Sequence, residues 1–236
     1  AKNNPKEPIP ALMLSLQAIK NNDIQTASRL LDEVFEDGGG QLWLPLISAW
    51  LDVEQRKLIK PLRIEELSAE VGRAAPIVYY HLALINAKAG FIKEAAENFK
   101  QAVVVYSQPP SRVMQALLYF YEKNNSPEIL KPIVKNYRNM NKNSAGLKPL
   151  TVNNIRDGAA EILFTMGSLM LASDVVQDAA LYLQLTLYLK PDMEIAIVAL
   201  AESYSELQQY AIAGELLNKI PKTSELYDST QLYIAI

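Results

Sequence analysis

The sequence contains no cysteine and one histidine, His81, in 236 residues. Without thiols there are no disulfides, no cysteine nucleophile and no cysteine zinc site. A transition-metal site would have to be built from carboxylates alone. Absence of cysteine suits a reducing cytosol and an unbridged periplasmic protein alike, so the compartment stays open. Glycine and proline are scarce, at 9 and 13 residues, which argues against low-complexity or collagen-like chain. Positive charge is not in excess: 23 Lys and Arg against 26 Asp and Glu give a net charge of -3. No global field gathers phosphates, which argues against nucleic acid as a main ligand. The longest apolar run, Ile195 to Ala201, is far short of the ~18 residues of a membrane span. The opening Ala1 to Pro8 has no apolar core like that of a secretory signal, so we read it as a trimmed beginning.

What is present is half hydrophobic and rich in helix formers, which predicts a folded, soluble, all-α chain. The helices recur in pairs. Tyr79, Leu82, Ala83 and Asn86 share one helical face, Gly90 supplies a turn, and Ala95, Phe99 and Ala102 share the face of a second helix. The same pattern recurs at Leu163, Met166, Gly167 and Met170 before Ala179 and Leu183. It recurs again at Ile197, Leu200, Ala201 and Tyr204 before Ala213 and Leu217. Weaker copies start at Leu14-Ser15, at Leu44, Ile47 and Ser48, and at Met114, Leu117 and Leu118. The small-residue positions Ser15, Ser48, Ala83, Leu118, Gly167 and Ala201 are separated by 33, 35, 35, 49 and 34 residues.

This spacing resembles the tetratricopeptide repeat, whose period is 34 residues. The resemblance implies a right-handed superhelix of about six helix-turn-helix units. Residues 1-138 would hold four units, 139-154 a polar linker of turn-forming composition, and 155-222 two more. Residues 223-236 would open a seventh unit, through Gln231, Ile234 and Ala235, or cap the stack. Lys60 and Leu130 stand where a small residue is expected, and Pro61 and Pro132 fall near the second helices, so units two and four should be irregular. Asp157 to Phe164, Leu187 to Asp192, Leu200-Ala-Glu202 and Leu217 to Pro221 are similar to a group of alphaproteobacterial tetratricopeptide proteins, many of them exported. That likeness leaves a periplasmic or a cytoplasmic location open.

Side chains able to do chemistry are few. His81 adjoins the core Leu82 and suits packing better than base catalysis. Asp157 with Glu161, and Glu202 with Glu206, have helical i, i+4 spacing but fit a solvated face. Gly38-Gly39-Gly40 lacks the Lys-Ser/Thr ending of a phosphate loop and reads as a turn. Lys131, Lys135, Arg138 and Lys142 around Tyr137 form a basic patch on an acidic chain. We expect no enzyme, no cofactor and no metal.

The resemblance also implies that the first helix of each pair lines a concave groove. The groove-facing residues would include Tyr80, Leu84 and Lys88, then Gln115, Tyr119 and Lys123, then Phe164 and Ser168, then Val198 and Glu202. Tyr80, Tyr119 and Phe164 should be exposed there and form a partner-binding surface. The family's clamp for a chaperone's terminal carboxylate is absent, because Leu12, Leu16, Lys20, Pro45, Ala49, Tyr80 and Leu84 occupy its positions. The expected role is a protein-interaction scaffold for a peptide or helix. The alternatives are a non-catalytic domain of a larger enzyme or assembly, and a self-associating subunit.

Overall fold

The computed structural model describes residues 8-36, 43-67, 72-140 and 149-234. Among them the regular secondary structure is helical, without a strand. The α-helices are α1 (Pro8–Lys20), α2 (Ile24–Glu36), α3 (Trp43–Glu54), α4 (Ala75–Ala89), α5 (Ile92–Val103) and α6 (Ser111–Lys123). They continue as α7 (Lys131–Met140), α8 (Ile155–Leu171), α9 (Val176–Leu189), α10 (Glu194–Glu206), α11 (Tyr210–Leu217) and α12 (Tyr227–Ile234). No helix among the described residues is long and apolar enough to cross a membrane.

Short turns join α1 to α2, α4 to α5, α8 to α9 and α10 to α11 and fold each pair antiparallel. The pairs approach closely because the residues between them are small: Ala27, Ala83, Ala95, Ala179 and Ala201 are almost wholly buried. Gly167 has the same role, since a β-carbon there would lie 2.7 Å from Leu183 Cγ.

The repeat is written in the backbone more regularly than in the side chains. Asn22, Arg56, Gly90, Asn125, Asp174 and Gln208 all have positive φ, at steps of 34, 34, 35, 49 and 34 residues. Each lies just past the end of a first helix. The next amide reaches back five residues: Asp23 to Ala18 (2.8 Å), Lys57 to Asp52 (2.8 Å), Phe91 to Asn86 (2.9 Å), Ser126 to Tyr121 (2.9 Å), Val175 to Met170 (2.9 Å) and Gln209 to Tyr204 (2.8 Å). This left-handed cap satisfies carbonyls that a helix end leaves without donors. Glycine would ease it, yet only Gly90 uses one, so five caps accept the steric cost of a β-carbon.

The stretches after α3 and after α6 interrupt the hairpin pattern. After α3 the chain runs without helix through Lys57–Arg63 into a 3-10 turn, Ile64–Glu66. Pro61 removes a helical donor and holds Lys60 out of the helical region. Asn86 fastens the segment by accepting from Leu62 N and donating to Leu62 O, both at 2.9 Å. In the fourth unit a 3-10 turn, Glu128–Leu130, precedes α7, and Pro132 falls in that helix's first turn, where no donor is needed.

No helix among the described residues forms a hairpin with α3, and its flank is covered from far along the chain. α8 packs against α3 and touches α1 and α4. Gly158 lets it in, lying flat against the Trp50 indole. Glu54 accepts from Ile155 N (2.9 Å), and Arg156 donates to Lys20 O (2.7 Å) at the end of α1. One hydrophobic core therefore runs from Leu12 through Trp50 and Leu82 to Ile162 and Leu189, and a second joins Phe164 and Leu183 to Leu200 and Leu217. Asn139 belongs to α7 and Asn154 caps α8 by accepting from Asp157 N (2.9 Å). The intervening 141-148, with Lys142, the triple Gly38-Gly39-Gly40, and Ala235 lie outside the described residues.

Candidate functional site

Helical spacing puts Tyr80, Leu84 and Lys88 on one stripe of α4, and Arg112, Tyr119 and Lys123, with Gln115 beside them, on one stripe of α6. The two stripes meet: Tyr80 and Arg112 both reach Glu161 of α8, and Leu84, Lys88, Tyr119 and Lys123 border one cleft. α8 enters from the end where Tyr80 and Arg112 stand and leaves the other end clear.

At the filled end Glu161 of α8 is the hub. Arg112 donates to it through Nε (2.7 Å to Oε1) and Nη2 (2.6 Å to Oε2), and Tyr80 Oη donates to Oε1 (2.8 Å). Glu161 is 2% exposed. Two-point guanidinium geometry and a third donor compensate a carboxylate taken out of water. The Arg112 guanidinium also lies 5.1 Å from the centre of the Phe164 ring. Burial, with the Glu161 charge beside it, holds the Tyr80 phenol well above its usual range.

His81 lies next to this hub, fully buried, with its ring 5.0 Å from that of Tyr80 and edge-on to Trp43. Its Nε2 is 3.2 Å from Thr165 Oγ1, and that hydroxyl donates to the Glu161 carbonyl (2.9 Å). With its proton committed, the hydroxyl accepts, which fixes the Nε2-H tautomer. Nδ1 is then a buried acceptor without a partner. Burial pulls the imidazole from 6.5 down to about 4, against a weaker opposite pull from Glu161. The buried histidine and the ion pair beside it tie α8 to α4 and α6.

The exposed aromatic surface expected from the sequence is thereby corrected. Tyr80 (3%), Leu84 (8%) and Phe164 (8%) are buried. The physical reason differs at each: Glu161 of α8 covers Tyr80, Leu84 belongs to the first core at the floor of the open cleft, and Phe164 packs into the second core with Leu183, Ile197 and Leu200. Glu161, read as part of a solvated carboxylate pair with Asp157, is instead bonded to Arg112, while Asp157 accepts from Lys190 (3.0 Å). The pairing of Arg112 with Glu161 across 49 residues was not legible in the sequence.

At the open end a cleft of about 280 Å³ remains between α4 and α6. Leu84, Ala116 and Phe120 line it, Leu150 and Val152 from the segment before α8 wall it, and Lys88, Tyr119 and Lys123 border it. The Lys123 ammonium lies 5.3 Å from the centre of the Tyr119 ring. Four of the ten expected residues thus meet here: Leu84, Lys88, Tyr119 and Lys123. Gln115, half-buried, stands on the same side of α6. Ser168 is on α8, and Val198 and Glu202 are on α10, outside the cleft lining. A wider hollow of about 470 Å³ lies on another face, between Val104, Tyr106, Ile129, Ile133 and Met140. Among the described residues no group of three His, Asp or Glu side chains could hold a metal ion.

No protein-family model and no curated protein matches the chain. Among solved structures it is similar to one described as YrrB, a TPR protein with an unusual peptide-binding site. The identity is 14%, the match covers 100% of this chain and 95% of that one, and the TM-score is 0.31, too loose an overlap to carry a conclusion.

Proposed function

We propose that this chain is a tetratricopeptide-type, non-enzymatic scaffold that holds a segment of a partner protein in the open end of its groove. The observation that supports the reading is the recurrence of the same left-handed cap at steps of 34 or 35 residues, broken by a single step of 49, against the 34-residue period of that repeat. A stack of such units keeps a surface rigid, so the receptor loses little entropy on binding. Leu84, Lys88, Tyr119 and Lys123 form the site in this reading, with Gln115 at its edge. Tyr80 and Phe164 shape it from beneath. Ser168, Val198 and Glu202 would extend the contact only for a partner long enough to pass α8.

Selection of a displayed random-peptide library against the protein tests this. Selected peptides should lose affinity about tenfold or more on Tyr119→Ala, with an unchanged melting temperature. A library that yields no binder, or binders indifferent to Tyr119→Ala, overturns the proposal.

A further inference from the structure

The open cleft is unlike the rest of the molecule in charge. The chain carries a net charge of -3, yet Lys88 and Lys123 border the cleft and no acidic side chain lines it. Among the described residues neither lysine has a carboxylate partner, whereas Lys60, Lys100, Lys131 and Lys190 each do. The carboxylate nearest in sequence, Glu122, is outside the cleft lining and accepts from Arg138 of α7 at 2.6 Å. Glu161 is likewise spent on Arg112.

Both lysines stand in the last turns of their helices, α4 and α6, and the apolar lining of Leu84, Ala116 and Phe120 belongs to the same two helices. Resting on the scaffold reading above, we infer that the occupant is an acidic segment internal to a partner protein. An aliphatic or aromatic side chain enters the cleft, and carboxylate side chains on both flanks of that anchor meet Lys88 and Lys123. Two cations on two helices match charges spread along a chain better than a single carboxylate at a chain end. Asn153, exposed at the rim, can donate to the bound backbone.

The test uses the whole protein and three synthetic peptides that share a central Leu-Phe anchor flanked by Glu, by Gln or by Lys, titrated at low and high salt. The Glu peptide should bind about tenfold more tightly than the Gln peptide, and the margin should shrink with salt. The double reversal Lys88→Glu/Lys123→Glu should move the preference to the Lys peptide by a similar factor without changing the melting temperature. Equal binding of all three peptides, lost on Tyr119→Ala, overturns the acidic occupant and leaves the scaffold reading standing. Binding of none with any dependence on Tyr119 overturns both. Association with phosphatidylserine vesicles that needs the lysines but not Tyr119 points to an anionic surface and also overturns the inference.

Discussion

The same groove has two ends built from the same helices, and they differ in what their charges do. At one end Arg112 and Tyr80 are spent on Glu161, out of water. At the other, Lys88 and Lys123 are exposed and, among the described residues, have no carboxylate partner. A polar residue in a groove is therefore not by itself a binding residue; what matters is whether the chain has already supplied its partner. The sharpest way to break this contrast is to remove the hub. Glu161→Ala leaves Arg112, whose side chain is 18% exposed, as a nearly buried cation without a counterion. A loss of ~3–5 kcal/mol in urea unfolding is expected. Lys123→Ala at the open end should change stability by less than ~0.5 kcal/mol. The pair Glu161→Leu with Arg112→Met should recover most of the loss, because an apolar pair of similar volume needs no desolvation. Equal effects of Glu161→Ala and Lys123→Ala would dissolve the distinction between the ends.

The hairpins were legible in the sequence because they are local. Small residues at Ala83, Gly167 and Ala201 hold equivalent places in their hairpins, and Pro61 and Pro132 stand where the hairpin pattern is interrupted. The caps repeat at nearly the same steps, although five of the six lack the glycine that would have announced them. The filling of the groove was not legible, because it depends on contacts between residues far apart in the chain. Glu161 with Arg112 and Gly158 with Trp50 are each unremarkable until the two helices meet. A signal was present in Gly158-Ala159-Ala160, a run of small residues that opens α8 and allows close approach on any side. The longer 49-residue step before it gives the chain the length to fold back.

The filled end also titrates differently from the open one. His81 stays neutral in the fold down to about pH 4, against an ordinary value near 6.5. Above 6.5 both folded and unfolded chains hold it neutral and it has no effect on stability. As pH falls from about 6.5 towards 4, the unfolded chain takes up a proton that the enclosed ring refuses, and stability drops by about 3 kcal/mol before levelling off. His81→Gln keeps a donor for Thr165 and removes the titration. Unfolding followed across this range should show a shallower acid slope for the variant; the same slope in both would mean that His81 is not enclosed at the α4–α8 contact.

The smallest expected effect concerns how deeply α8 sits, and its sign is contested by two forces. Gly158→Ala places a methyl group in an α-helix, which by propensity alone stabilises by ~1 kcal/mol. That methyl group would also fall on Cε2, Cδ2 and Nε1 of Trp50. Trp50 has no solvent exposure, and its Nε1 already lacks a hydrogen-bond partner, so the ring cannot yield without disturbing α3. Overpacking of this kind costs ~1–3 kcal/mol and outweighs the propensity. A net loss of about 1 kcal/mol in urea unfolding is expected. Gly214→Ala, where nothing lies within 4 Å of the added carbon, should gain stability from the same propensity. If both substitutions stabilise, α8 is not pressed on α3, and the filled end of the groove is as accessible as the open one.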